Sequence, residues 1–334
     1  MRELKELAKE GQAIELIHPG RELLPEEERF YTSVVDHKNG VTLSTFADLQ
    51  QEKIPHATDR SAAVRVGISS SPAPDGRQLG FGTHHYDELA VRLARVLMNG
   101  GCQVQYGGWI KDDDPFSQVL LDAAINATRE EAEDGSDEET TPLLESVQAW
   151  PHHKSFTAAA EADLHGICSI YRVDPPDGPG DDGKRERDAL TRMRAAVHSS
   201  QSKLAIPTVD LRIALGGKMR GYAGAMPGVA EEVYYALESD VPLLILGGFG
   251  GVAGHIADWV LGDSALPRPL SKLSTPLLKF KHTITMLRRG TRTFVGLDYA
   301  QLSAVMTTQS VSAVVRTLAA VVADLRSERA FHYS

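Results

Sequence analysis

Short apolar runs alternate with amphipathic segments along the middle of the chain. The apolar, strand-like runs lie at 63–69, 102–106, 144–149, 166–171, 210–215 and 242–246. Segments with helical spacing separate them, at 86–98, 116–127, 184–198, 228–238 and 252–261. This alternation is typical of βαβ units, in which helices join parallel strands and cover the sheet. The pattern therefore predicts an α/β fold with a Rossmann-like, doubly wound and mostly parallel sheet.

The two ends of the chain follow other patterns and are interpreted as additions to this sheet domain. Residues 1–61 contain a helix start at 25–28 and a strand-like run at 31–35, and no role is assigned to them. The acidic stretch 130–139 and the Pro-, Gly- and Asp-rich stretch 175–182 are interpreted as loops. The sheet domain is expected to span 62–263, followed by a C-terminal segment at 264–334.

The C-terminal segment combines a basic part with an apolar stripe. Between residues 264 and 297 there are seven Lys or Arg residues and no carboxylate. Residues 301–326 then carry apolar side chains at helical spacing, at 311, 314, 315, 318, 321, 322 and 325, a stripe that must cover another surface. This pattern predicts a C-terminal helix that docks on the sheet domain or on a second copy of the chain, so a homo-oligomer is one of the two expectations.

Composition and charge narrow the class of protein. The 334 residues are 42% hydrophobic and 24% charged, which is ordinary for a chain with a packed core. The formal net charge of −10 makes nucleic acid a poor partner. The apolar run at 311–325 contains Arg316 and Asp324 and is too short to span a bilayer. The N-terminus lacks the apolar stretch that a signal peptide has. Cys102 and Cys168 lie in apolar runs, as buried thiols do in a reducing compartment, so a cytoplasmic protein is expected without a membrane partner.

Small residues follow four of the predicted strands. They are Ser69, Ser70 and Ser71; Gly107 and Gly108; Gly216 and Gly217; and the loop Gly247, Gly248, Phe249, Gly250 and Gly251. In an open parallel sheet the ligand crevice lies at the carboxyl ends of the strands, where helix N-termini converge. Glycine lets the backbone approach a phosphate or ribose closely, although it is also a common turn residue. Four such clusters favour a ligand crevice over turn chemistry alone.

The segment between the fifth predicted strand and its helix carries the most chemistry. Pro227 and Gly228 open the helix, so the first backbone amides face any anion above them. Glu231 and Glu232 lie in its first turn. Either they complement the helix dipole and face water, or one of them accepts from the paired hydroxyls of a ribose. Lys218 and Arg220 precede the helix and are either solvated or paired with phosphate.

Metal and nucleophile motifs are weak in this sequence. Adjacent histidines occur at 84–85 and 152–153, and neighbours in sequence point apart on a helix or a strand, so neither pair makes a metal site alone. Residues 152–153 lie where the mouth of the crevice is expected. Residues 112–114 are three aspartates that form either a solvated turn or a site for Mg²⁺ held with a ligand phosphate. No cofactor is firmly implied, and neither a Gly-x-Ser-x-Gly elbow nor a Walker lysine motif is present.

Six ordered motifs resemble the prokaryotic SLOG family. They are VGISSSP from Val66, YGGW from Tyr106, AWP from Ala149, LTRMR from Leu190, ALGGK from Ala214 through MPGVAEE from Met226, and LGGFGGVA from Leu246. SLOG domains are Rossmann-like modules related to the LOG cytokinin-activating hydrolases, the DNA-processing protein family and the sensor domains of TRPM channels. The resemblance covers residues 62–263 and leaves both ends of the chain outside it.

The resemblance implies a domain that binds nucleotides or nucleotide-derived signals. ADP-ribose and its cyclic isomers are such signals, and SLOG domains of bacterial anti-phage systems sense them, so a sensor is favoured. The sequence leaves open whether a separate effector protein is its partner. By this analogy the ligand lies among the residues already named and a few more that the family motifs add. These are Arg194 as a phosphate partner or a solvated side chain, Gly221 beside Lys218 and Arg220, and Met226, Pro227 and Gly228 at the helix start.

The LOG hydrolases supply the alternative function. Their Pro-Gly-Gly-x-Gly-Thr-x-x-Glu motif ends in a glutamate that cleaves an N-glycosidic bond together with an arginine. Here the Pro-Gly-x-x-Glu-Glu and Gly-Gly-Phe-Gly-Gly elements are separate, and neither threonine nor glutamate follows the second. Cleavage still requires only a carboxylate near the anomeric carbon, so Glu231 or Glu232 would be catalytic in a nucleotide N-glycosidase.

Overall fold

The computed structural model describes residues 14–18, 41–45, 63–107, 115–133, 141–262, 264–290 and 293–333. Strands β1 (Ile14–His18) and β2 (Val41–Thr45) pair in parallel as a two-stranded sheet. The predicted helix start at 25–28, the predicted strand at 31–35 and the aspartates at 112–114 lie outside the described residues.

The main sheet has six parallel strands, as the apolar runs predicted. These are β3 (Arg65–Ser71), β4 (Gln103–Tyr106), β5 (Leu144–Ala149), β6 (Cys168–Val173), β7 (Leu211–Gly216) and β8 (Leu243–Leu246). Their order across the sheet is β6-β5-β4-β3-β7-β8. The chain adds strands on one side of β3 and then returns to add two on the other side. The prediction of a Rossmann-like, doubly wound sheet is confirmed, and the order reverses beside β3, where such folds bind ligands.

Helices join consecutive strands of this sheet, and a further helix follows β8. In chain order they are α1 (Thr83–Asn99), α2 (Pro115–Glu133), α3 (Ala158–Asp163), α4 (Asp182–Ala196), α5 (Gly228–Glu238) and, after β8, α6 (Gly251–Leu261). The bounds of α5 are those predicted. Helix α3 was not predicted, because its sequence AAAEAD buries no residue and so carries no apolar stripe.

One loop prediction was wrong in part. The acidic stretch was interpreted as a loop from residue 130, but α2 continues to Glu133. Alanine, arginine and glutamate are good helix formers, and they extend the helix without needing an apolar face. The rest of the stretch, 134–139, lies outside the described residues.

After α6 the described chain continues with α7 (Ser274–Arg288), α8 (Tyr299–Thr307) and α9 (Val311–Tyr333). Helix α7 was hidden in the basic segment. The apolar positions of the predicted stripe, from 311 to 325, all lie in α9, whereas the first part of that segment, from residue 301, belongs to α8. Their buried side chains belong to the same hydrophobic core as the strands, among them Leu277, Phe280, Leu302, Val314 and Leu318. Of the two docking alternatives, the structure has these helices on the sheet domain of their own chain.

Helix α9 is also fixed by hydrogen bonds near its end. Arg326 donates to the carbonyl of Gly100, and Arg329 donates to the carbonyl of Ala63 and to Asp210.

Cys102 and Cys168 are both buried, as predicted. Among the helices that the structure describes, none combines the length and apolar content needed to cross a bilayer.

Candidate functional site

The predicted clusters after β3, β4 and β7 lie at the same edge of the sheet. In the β3–β7 pairing, Ser69 is opposite Ala214 and Ser71 is opposite Gly216. The amide of Gly217 donates to the carbonyl of Ser71 (2.8 Å), so the ends of these two strands are joined directly. Gly217 has φ 111°, and a Cβ there would lie 2.7 Å from Val252, so only glycine fits this turn. Gly107 follows β4 on the other side of β3, whereas Gly108 lies outside the described residues.

Glu232 extends from the first turn of α5 onto β3 and β7. Its Oε2 accepts from the hydroxyl of Ser69 and lies 3.2 Å from Nη1 of Arg212. Arg212 is a β7 residue with only 2% of its surface exposed. Burial lowers the pKa of this guanidinium, and the charge of Glu232 opposes that effect. Glu232 is thus the buried counter-ion of a buried arginine.

The second oxygen of Glu232 is differently placed. Within the described part of the chain Oε1 accepts no hydrogen bond, and Nε of Arg194 lies 3.9 Å from it. A Cβ on Gly107 would lie 3.4 Å from this oxygen. The missing side chain at Gly107 therefore leaves space beside a carboxylate oxygen that still has acceptor capacity.

Glu231 is enclosed by protein. It pairs with Nη1 of Arg194 and accepts from the hydroxyl of Thr191 at 2.6 Å, both on α4, and only 1% of its surface is exposed. A Cβ on Gly224 would lie 2.5 Å from Glu231 Oε2, so the backbone of the loop before α5 covers this carboxylate. Neither glutamate faces water, and Glu231 serves to join α4 to α5.

His198 connects the two arginines and was not predicted. Its Nε2 accepts from Nε of Arg212 at 2.9 Å, and its Nδ1 donates to the carbonyl of Arg194 at 2.6 Å. Burial and the adjacent Arg212 lower the pKa of His198 well below its usual value, so the ring is neutral with its proton on Nδ1. A sequence signal for this part of the site was the lone Arg212 within an apolar strand. A charge at such a position needs a buried partner.

The N-termini of α5 and α6 differ in what lies on them. At α6, Asp75 accepts from the amide of Gly251 at 2.9 Å, so a carboxylate of the protein already occupies this helix end. At α5, no side chain caps the helix after Pro227. Nη2 of Arg194 lies 3.0 Å from the Cβ position of Gly228, and Nε of Arg194 is buried without a hydrogen-bond partner among the described residues. The start of α5 thus combines uncapped amides with the guanidinium of Arg194, whose Nε donates no hydrogen bond within the described part of the chain.

The loop 247–251 lies against other parts of the protein. A Cβ on Gly248 would overlap the carbonyl of Thr308, and one on Gly247 would lie 2.5 Å from the carbonyl of Met306. Phe249 is buried, and its carbonyl accepts from the hydroxyl of Tyr86 at 2.8 Å. Close packing on α8 accounts for these glycines, and their predicted contact with a ligand stays a prediction.

The loop before α5 carries the remaining predicted residues. Lys218 and Arg220 are exposed, Gly221 has φ 67°, and Tyr222 is 40% exposed, whereas Met226 and Pro227 are buried. Two exposed cations therefore precede the uncapped start of α5.

Histidines at the end of β5 pair with carboxylates. His153 Nε2 lies 2.9 Å from Asp174 and His152 Nε2 lies 3.6 Å from Glu186. The described residues contain no group of three or more His, Cys, Asp or Glu side chains arranged to hold a metal ion. The Mg²⁺ prediction concerned residues 112–114 and stays a prediction.

A family model described as SLOG cluster2 matches residues 61–319 of the chain. The match takes in the whole main sheet with α1 to α8 and the first part of α9, and so extends past residue 263. No curated protein matches the chain.

Proposed function

This chain belongs to the SLOG family, and on that premise we propose that it binds a nucleotide-derived small molecule as a sensor. Family membership supports a nucleotide-related ligand in general terms. The finer proposal is ADP-ribose, a cyclic isomer or a related NAD-derived signal, sensed in an anti-phage pathway that includes a separate effector protein. The ligand would lie at the carboxyl edge of β3, β4 and β7.

The observation that carries the proposal is the uncapped start of α5 beside Arg194. Backbone amides at a helix N-terminus and a guanidinium fork both bind phosphate well. Arg194 uses Nη1 for Glu231, whereas its Nε has no hydrogen-bond partner among the described residues and its Nη2 lies 3.0 Å from the Cβ position of Gly228, so these two nitrogens would be the donors to an anion. The equivalent position at α6 is taken by Asp75, which supports α5 as the phosphate position.

Glu232 supports a ribose at the same edge. A carboxylate oxygen with free acceptor capacity binds a sugar hydroxyl well, because the hydrogen bond is charge-assisted. Oε1 of Glu232 has that capacity, and Gly107 leaves the space that a sugar ring would occupy. We assign ribose contact to Glu232 rather than Glu231, whose oxygens are both used by α4.

A nucleotide N-glycosidase of the LOG kind is the second candidate. The observation that favours it is the presence of two buried carboxylates with Arg194 at the same edge. A carboxylate there would stabilise positive charge on the anomeric carbon as the bond to the base breaks.

One experiment separates the two functions. The protein is titrated calorimetrically with ADP-ribose, cyclic ADP-ribose isomers, NAD and AMP, with and without Mg²⁺, and each mixture is then analysed by chromatography. A bound and unchanged ligand supports the sensor. Released base or ribose phosphate supports the hydrolase, and absence of heat with every ligand refutes both.

Gly107→Ala tests where the ligand lies. The new methyl group would lie 3.4 Å from Glu232 Oε1 and 3.5 Å from Met193 Cε, which are ordinary contacts, so the fold should tolerate it. A methyl group forced against a bound sugar costs about 1–3 kcal/mol, so the affinity should fall by about 5- to 150-fold.

The matched control is Gly183→Ala, in the exposed first turn of α4. Thermal unfolding should show both variants folded, and calorimetry should show a loss of affinity only for Gly107→Ala. Equal affinity in the two variants would contradict a ligand beside Glu232.

A further inference from the structure

The outer face of α7 is basic and exposed to solvent. Helix α7 packs on α5, α6 and α8, and on its opposite side exposed positions recur every three or four residues. These positions are Thr275, Leu278, Lys279, His282, Thr285 and Arg289. Lys272 is exposed in the short helical turn that leads into α7. These seven residues are called the α7 face below.

The cations of the α7 face have no acidic neighbour in the described part of the chain. Lys272, Lys279 and Arg289 form no ion pair there. Lys281 differs from them, because its Nζ donates to the carbonyls of Trp259 (3.1 Å) and Gly262 (2.6 Å) and so joins α7 to α6. The whole chain has a net charge of −10, so the α7 face is a local concentration of positive charge on an acidic protein.

The acidic segment 130–139 has the complementary charge. It contains seven Asp or Glu residues and no Lys or Arg, whereas 264–297 contains seven Lys or Arg residues and no carboxylate. Blocks of like charge often bind a surface of opposite sign. At about 0.1 M salt such charges attract one another over about 10 Å. The sequence of this chain therefore supplies an occupant whose charge matches the α7 face.

The two charged segments of one chain lie too far apart to meet. Helix α7 packs on α5 and α6, which precede and follow the edge strand β8, whereas residues 134–140 join α2 to β5. Four strand spacings separate β5 from β8, about 19 Å across the sheet. A connection of seven residues that is held at both ends extends no more than about 14 Å from them. The acidic segment can therefore reach an α7 face only on another copy of the chain.

We propose that the α7 face binds the acidic segment 130–139 of a second copy of this chain. The contact joins two different surfaces, so copies associate head to tail, either in a closed ring or in an open series. Exposed ion pairs are individually weak and are screened by salt, so the association is reversible and salt-sensitive. The inference goes beyond the proposed function, because neither surface includes a residue of the candidate site.

Sedimentation velocity on the full chain measures this association. The dissociation constant should be at least about tenfold larger in about 500 mM salt than in about 50 mM salt. Two neutralised variants should each weaken the low-salt association by about tenfold. The basic-face variant is Lys272→Gln/Lys279→Gln/Arg289→Gln, and the acidic-segment variant is Asp137→Asn/Glu138→Gln/Glu139→Gln.

A mixture of the two variants tests the head-to-tail contact directly. The basic-face variant keeps its acidic segment, and the acidic-segment variant keeps its α7 face, so one native contact can form between them. The mixture should contain a one-to-one complex that neither variant forms alone. Larger species should be absent, because the other surface of each partner is neutralised.

The matched control is Glu88→Gln/Asp177→Asn/Glu328→Gln, which changes three exposed carboxylates elsewhere on the protein. It alters the net charge as much as the acidic-segment variant does, and it should associate like the native chain. Thermal unfolding should show every variant folded.

The remaining outcomes would overturn the proposal. A native chain that stays monomeric in low salt would exclude a second copy as the occupant of the α7 face. Equal weakening in the control would attribute the association to net charge. A mixture in which no complex forms would refute the contact between the α7 face and the acidic segment.

Discussion

The pairing of Glu232 with Arg212 predicts a large stability loss for Glu232→Gln. Arg212 is 2% exposed, and Glu232 is its one carboxylate partner among the described residues. Glutamine keeps the shape and one acceptor oxygen but leaves a guanidinium charge uncompensated in the interior. Removing one partner of a buried pair costs about 3–5 kcal/mol, and the retained acceptor places the expected loss near 3 kcal/mol.

Urea denaturation followed by circular dichroism measures this loss. The control is Glu161→Gln, because Glu161 and its partner Arg172 are 45% and 36% exposed, and exposed pairs contribute about 0–1 kcal/mol. Adding Arg212→Met to Glu232→Gln should restore much of the stability, since it removes the orphaned charge. Equal losses below about 1 kcal/mol in both single variants would refute the account of Arg212 as a buried charge.

Two further predictions concern His198 and Gly248. Because the folded protein holds the pKa of His198 well below 6.5, the unfolded chain takes up a proton below pH 6.5 that the folded chain refuses. Stability should therefore be unaffected by His198 above pH 6.5 and fall by up to about 1.4 kcal/mol per pH unit below it. The midpoint of thermal unfolding should change less between pH 7.5 and pH 5.5 for His198→Gln than for the exposed control His282→Gln. The same change in both variants would contradict a buried neutral ring at His198. Gly248→Ala should lower the stability of the fold by about 1–3 kcal/mol, because the new Cβ would overlap the Thr308 carbonyl. The control Gly183→Ala should not lower it. An unchanged unfolding midpoint for Gly248→Ala would argue against close packing on α8.

The fold was predictable where burial imposes a period on the sequence. Strands β7 and β8 are buried at every residue and appear as apolar runs, and the opening Pro227-Gly228 and an apolar stripe mark the extent of α5. Helix α7 was missed because the exposed cations of this segment obscured the apolar positions that include Leu277 and Ile284. The division between α8 and α9 falls at residues 308–310, where no Gly or Pro marks the break.

The candidate site was predictable only as a set of strand ends. Glycine clusters identify the edge of the sheet, but they do not show which clusters the protein itself fills. Asp75 occupies the start of α6 from a position 176 residues away in sequence, so no local pattern could connect the two. His198 and Arg212 meet through tertiary packing in the same way. Local chemistry therefore points to the edge of the sheet where the candidate site lies, and long-range contacts decide which groups there are already used by the protein.

The charges of the site bear on the choice between binding and hydrolysis. Arg194 and Arg212 each lie against a glutamate, so these four side chains carry no net charge. A phosphate there would depend on the amides of α5, on the Arg194 nitrogens that Glu231 does not use, and on Lys218 and Arg220, which are exposed and have no carboxylate partner among the described residues. Glycosidic cleavage instead needs a carboxylate whose negative charge is available to an oxocarbenium ion. Arg212 lies 3.2 Å from Glu232 and Arg194 lies against Glu231, so less negative charge is available at either carboxylate. The same contacts leave Oε1 of Glu232 able to accept from a neutral ribose hydroxyl. The electrostatics thus favour a ligand that is held over one that is cleaved.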